Sequence, residues 1–301
     1  MVVEFEPKLV ADYECWTGEG PLYHPDEGVV YWLDIPPGKL FRYDPETGDH
    51  EQCLDLDRPI GGFTIQDDGD LLLFLDKGTV RPWSSEDGWH DPVIESIPGE
   101  EAARFNDVIA DPRGRVYCGT MPEEDPASGG GRLYRLDTDG SLTTILEDVA
   151  IPNGMGFARD RRQLYFTETA AETIYRFDYD QATGELSDRE TFVDISEEDS
   201  FPDGMTIDSE GYVWSARWDG GCLVRYAPDG SEEARVEFPA KKVSSVTFGG
   251  GDYADAFVTT ALGPGEGEPG TKAEEGEGAG ALFRFRPEAG GIPEFRSRIQ
   301  G

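Results

Sequence analysis

The chain has 301 residues, with 62 acidic against 26 basic side chains and a formal charge of −36, so it offers no basic patch for nucleic acid or an anionic membrane surface. Six Trp, twelve Tyr and sixteen Phe exclude a disordered acidic polymer, and the acidic excess reads as a solvated shell that suits high salt, where self-repulsion is screened. No apolar run of bilayer length, secretory leader or C-x-x-C pair is present, and Cys15, Cys53, Cys118 and Cys222 read as free, mostly buried thiols of a cytoplasmic protein.

Taken in chain order, short strand signals alternate with turn chemistry. Residues 28–33 follow the turn Pro25-Asp26-Glu27, and residues 39–44 follow Pro36-Pro37-Gly38. The same order returns at 114–119 and 131–136, at 163–167 and 173–178, and at 211–215 and 221–226. A polar outer strand is expected where Glu233-Ala234-Arg235-Val236-Glu237-Phe238 alternates, and no long run has helical spacing. The last strands, 255–260 and 281–285, are interrupted by residues 263–280, rich in Gly, Glu and Pro, which read as a flexible acidic loop.

One phrase recurs through these segments. It reads Glu19-Gly20-Pro21, Gly61-Gly62-Phe63, Asn106-Asp107-Val108, Asn153-Gly154-Met155, Asp203-Gly204-Met205 and Ser244-Ser245-Val246. Its first positions lie 41–50 residues apart, the length of a four-stranded propeller blade. The expectation is therefore all-β: a single six-bladed β-propeller domain over residues 1–301, with four-stranded antiparallel blades around a central channel. Residues 2–5 are expected to close the ring near 294–296, because an open ring leaves an unpaired strand edge.

Inner strands line the channel, so equivalent positions ring one mouth. Glu19, Asn153 and Asp203 supply two carboxylates and an amide oxygen, an all-oxygen set for one divalent metal ion (Ca²⁺, Mg²⁺, Mn²⁺ or Zn²⁺) with positions left open. The competing reading is that Asn153-Gly154 and Asp203-Gly204 are only turns. His24, His50 and His90 read as surface residues, and neither a G-x-S-x-G elbow nor an H-E-x-x-H helix is present.

The segments Gly18-Glu19-Gly20-Pro21, Arg104-Phe105-Asn106-Asp107, Gly119-Thr120-Met121, Pro152-Asn153-Gly154 and Pro202-Asp203-Gly204-Met205, in this order, resemble the SMP-30/gluconolactonase/regucalcin family over about residues 14–261 and again at 278–285. The resemblance implies the same fold, an axial metal on Glu19, Asn153 and Asp203, and hydrolysis of sugar lactones. It also implies Arg104, Asn106 and Glu124 as substrate contacts. Pro122 stands where the family usually has Ala, which stiffens the loop bearing Glu124. Trp218-Asp219-Gly220-Gly221 departs from the family's commoner Tyr-Asn-Gly-Gly.

The expected chemistry is opening of an aldonolactone to its aldonic acid, with Lewis-acid polarisation of the carbonyl and Asp203 as candidate general base. The expected partner is a small-molecule sugar lactone. Alternatives are an esterase or phosphotriesterase on the same scaffold and a calcium-binding or scaffold propeller without turnover.

Overall fold

A computed structural model describes residues 5–263 and 268–300. Twenty-four strands form six four-stranded antiparallel sheets. Five are simple meanders in chain order, the first running β2 (Gly18–His24), β3 (Val29–Asp34), β4 (Lys39–Tyr43) and β5 (His50–Asp55). The innermost strands are β2, β6 (Ile60–Ile65), β10 (Ala103–Ala110), β14 (Pro152–Phe157), β18 (Phe201–Ile207) and β22 (Lys242–Gly249), and neighbours pack side by side around a channel. The six-bladed propeller expected from the repeat is the fold of the chain.

Burial follows position in the blade. The second strand, as in β7 (Leu71–Leu75), is apolar on both faces because blades press on it from either side. The outer strand, as in β17 (Leu186–Asp194), shows mostly polar residues to water. The apolar core lies between blades: Trp214 of the fifth and Phe248 of the sixth stand edge to face with centroids 6.2 Å apart. Tyr117 of the third packs near Phe157 of the fourth.

Ring closure differs from the expectation. Residues 2–4 lie outside the described residues, and the closing strand is β1 (Lys8–Asp12), which pairs antiparallel with β24 (Ala281–Phe285) as the outer strand of the last blade. Phe5 packs on Trp214 and Phe285 instead of pairing near 294–296. The segment 290–300 laces the end of the channel away from the recurring phrase. It bonds to Ser209 and Tyr253, then to Ile65, Asp67, Gly114 and Thr138. Phe295 meets Phe157, and Arg296 pairs with Asp26. All six blades are thereby tied to one strap.

Two further readings need correction. His24 is buried at 1 % exposure, its ring Nε2 2.8 Å from the Gly69 carbonyl oxygen, so it joins the first two blades rather than facing water. Within 263–280 the chain forms a short helix, Lys272–Glu275, with a Thr271/Glu274 capping box. The four cysteines are free thiols, three of them buried.

Candidate active site

The recurring phrase is a bulge. In all six inner strands the pairing register slips at it: between Glu19 and Leu22, Ile60 and Gly62, Phe105 and Val108, Pro152 and Met155, Pro202 and Met205, and Val243 and Ser245. A bulge bends a strand and re-aims a side chain that regular pleating would bury in the sheet. Asn153-Gly154 and Asp203-Gly204 therefore lie inside strands, not in turns. Glycine follows Asn153 because the next blade's backbone is close: a Cβ on Gly154 would stand 2.5 Å from the Asp203 carbonyl oxygen.

Glu19, Asn153 and Asp203 come together in one cavity of about 360 Å³ at the channel mouth, with Arg104 and Asn106 in the same wall. Asn153 Nδ2 donates to Asp203 and, at 3.1 Å, to Thr169 Oγ1. Asn153 Oδ1 accepts the Gly154 N–H at 3.0 Å, and Glu19 Oε2 accepts the Gly20 N–H at 2.9 Å. Arg104, only 7 % exposed, donates to Asn106 Oδ1 at 2.8 Å, while Asn106 Nδ2 donates to the Pro152 carbonyl at 2.9 Å. Arg104 and Asn106 are thus one preorganised pair anchored to the next blade.

Glu124 is exposed on the loop after β11 (Val116–Pro122) and does not line the cavity, although Pro126 and Ala127 of the same loop do. Gly61 and Ser244 carry structure. The Ser244 hydroxyl donates to the Gly18 carbonyl at 2.5 Å and closes the seam between the sixth and first blades beside Glu19.

The charges in the channel are poorly balanced. Burial, then the neighbouring Asp203 and Asp107, push the Glu19 carboxyl well above its ordinary range. Burial and Asp107 do the same to Asp203, and burial raises Asp107 to about 7. Buried carboxylates repel unless a cation joins them. Two carboxylates and an amide fit a hard divalent ion. Among the described residues no cluster of three or more His, Cys, Asp or Glu side chains forms a metal site. Protons compete with a cation for these oxygens. A divalent ion held by these oxygens would bind more weakly as pH drops through the raised carboxyl pKa values, measurable by titrating chelator-treated protein with Ca²⁺ or Mn²⁺ across pH 5–8.

A six-bladed propeller with an oxygen-rich axial site and a preorganised Arg–Asn pair defines the class. Residues 17–262 match the SMP-30/Gluconolactonase/LRE-like region family model, and the chain belongs to that family. It is 53 % identical over 292 residues to Pentonolactonase XacC of Haloferax volcanii, covering 97 % of this chain and 98 % of that one. It is 33 % identical over 251 residues to regucalcin of Gallus gallus, covering 81 % and 83 %. The crystal structure of a calcium-binding protein, regucalcin, from Agrobacterium tumefaciens superposes with a TM-score of 0.90 at 26 % identity, covering 99 % of both chains.

Proposed function

We propose that this protein is a metal-dependent sugar lactonase that opens aldonolactones to aldonic acids. The observation that carries the reading is the meeting of Glu19, Asn153 and Asp203 with the Arg104–Asn106 pair in one cavity of sugar size. The 53 % identity to a pentonolactonase over nearly the whole chain supports a five-carbon lactone as the substrate. Glu19, Asn153 and Asp203 would hold a divalent cation, which when bound supplies a Lewis acid for the lactone carbonyl oxygen.

The chain's own groups do the rest. Arg104 donates hydrogen bonds to the substrate's hydroxyls or ring oxygen, and Asn106 fixes the Arg104 fork, so little ordering cost falls on the reaction. Met121, Ile151 and Phe201 in the wall exclude bulk water and strengthen these charged contacts. Asp203 takes the proton from the water that attacks the carbonyl carbon. The acyl C–O bond then breaks, and the proton goes to the departing ring oxygen, leaving a hydroxy acid. Burial beside Asp107 raises the proton affinity of Asp203 in the metal-free protein, and a bound cation would lower it again and keep the carboxylate ionised. Glu124 is proposed to contact the far end of the sugar from its rim loop.

The test is acid release from pentono- and hexonolactones by chelated and metal-restored protein. Activity restored by metal supports the enzyme. Stoichiometric metal binding without acid release from any lactone would establish instead a calcium-binding protein without turnover, the reading that the likeness to regucalcins favours. The acidic shell further supports a salt-rich cytoplasm. Moving from about 2 M to 0.1 M KCl lengthens the screening distance from under 3 Å to about 10 Å and should lower the Tm by several degrees, read by thermal scanning.

A further inference from the structure

The cavity has one aromatic wall, and its support comes from an unexpected place. Phe201 and Trp218 are cross-strand partners at the ends of β18 and β19 (Val213–Trp218), and both line the cavity. Phe201 is 37 % exposed, which leaves its ring accessible from the cavity. After Trp218 the chain turns through Asp219, whose φ of 62° is left-handed and strained for a residue with a Cβ. That turn is gripped from the next blade.

Lys242, 8 % exposed, places its Nζ 2.8 Å from Asp219 Oδ1 and 2.5 Å from Glu275 Oε2, and 5.7 Å from the centre of the Trp218 ring. Glu275 ends the short helix of the last blade's insertion. That insertion is itself clamped: the Lys241 N–H donates to the Glu275 carbonyl and the Gly278 N–H to the Pro239 carbonyl, both at 2.7 Å. Asp219 is exposed, but Lys242 and Glu275 are largely sheltered, so their pair is less screened than a surface one. The stem of Lys242 and its charge together hold one edge of the indole.

We propose that segment 270–280 of this insertion is a substrate-recognition element. Through Glu275 and Lys242 it fixes Trp218 beside Phe201 as a flat platform for the C–H face of the lactone ring, while Arg104 and Asn106 take the hydroxyls. This rests on the lactonase reading. Lys242 and Glu275 are positioning residues, and Trp218 touches the substrate. A sugar ring has polar edges and an apolar face, so a site built only of hydrogen-bonding groups would leave that face against water.

The experiment uses the full chain with Lys242→Met, Glu275→Gln, Trp218→Ala and Trp218→Phe, assayed on a panel of pentono- and hexonolactones. Acrylamide quenching of tryptophan fluorescence is read in parallel. Both latch variants should raise KM about 3- to 10-fold with kcat within about twofold, and both should increase quenching. That increase should vanish when Trp218→Phe is added. Trp218→Ala should raise KM alike, and Trp218→Phe should restore most of it. An unchanged KM in Trp218→Ala, or in both latch variants, overturns the proposal, whatever the Tm does. If the parent protein opens no lactone, the lactonase reading fails, and the platform for a lactone ring is overturned with it. The quenching comparison separates that outcome from failure of the latch: equal quenching of parent and latch variants shows that the insertion does not hold Trp218.

Discussion

Asp203→Ala is expected to lower lactone hydrolysis by about 10³-fold or more, because it would remove both a proposed metal ligand and the proposed proton acceptor. Bound metal should fall with it, measured by titration of chelated protein. Asp203→Asn separates the two tasks. It keeps an oxygen in place but cannot take a proton, so metal binding should persist in part while kcat collapses. The folding effect should run the other way. Burial first, and then the neighbouring Asp107, push the Asp203 carboxyl upward. In chelator, therefore, losing it should leave the Tm unchanged or higher. Full activity in Asp203→Ala would remove the base assignment.

Gly61→Ala should be among the most damaging single methyl additions in the described residues. A Cβ there would stand 1.9 Å from the Phe105 carbonyl oxygen and 3.0 Å from the Asn106 backbone nitrogen. Both are backbone atoms in the next inner strand and cannot rotate away. The cost should exceed about 3 kcal/mol, read as a fall in the denaturation midpoint. The site should fail as well, because the displaced strand carries Arg104 and Asn106. Gly251→Ala is the control: a Cβ at Gly251 meets nothing within 4 Å, and its effect should stay within about 0.5 kcal/mol.

The blades were legible because each is a local unit. Residues 131–136 and 281–285 fold as the strands their alternation predicts, and the spacing of the phrase counted the blades. The meeting of Glu19, Asn153 and Asp203 was legible for the same reason, since equal phase in a ring means nearness in space. The backbone form of the phrase was hidden. Asn-Gly and Asp-Gly carry strong turn statistics, and only the approach of a neighbouring blade shows why glycine stands in a strand.

Three other features depend on distant partners. His24 is only a polar residue at the end of a strand until Gly69, 45 positions away, is beside it. The strap 290–300 has little regular pairing of its own and borrows partners from every blade. The link from Glu275 to Trp218 passes through Lys242, three segments that no periodicity connects. Glu124 is the converse case: a motif match puts it at the substrate, and the structure leaves it exposed at the rim.

The pairing of Lys8–Asp12 with Ala281–Phe285 also sets the order of events during synthesis. Of the described strands, β1 leaves the ribosome before the others yet is the last to find its place, and it waits for a partner some 270 residues behind it. Until that partner arrives the ring is a chain of blades with two raw apolar faces, one at each end. Such long loop closures are slow, and the open intermediate is the state most exposed to sticking to its neighbours. A shell of like charges on every nascent copy would keep those unfinished rings apart while they wait.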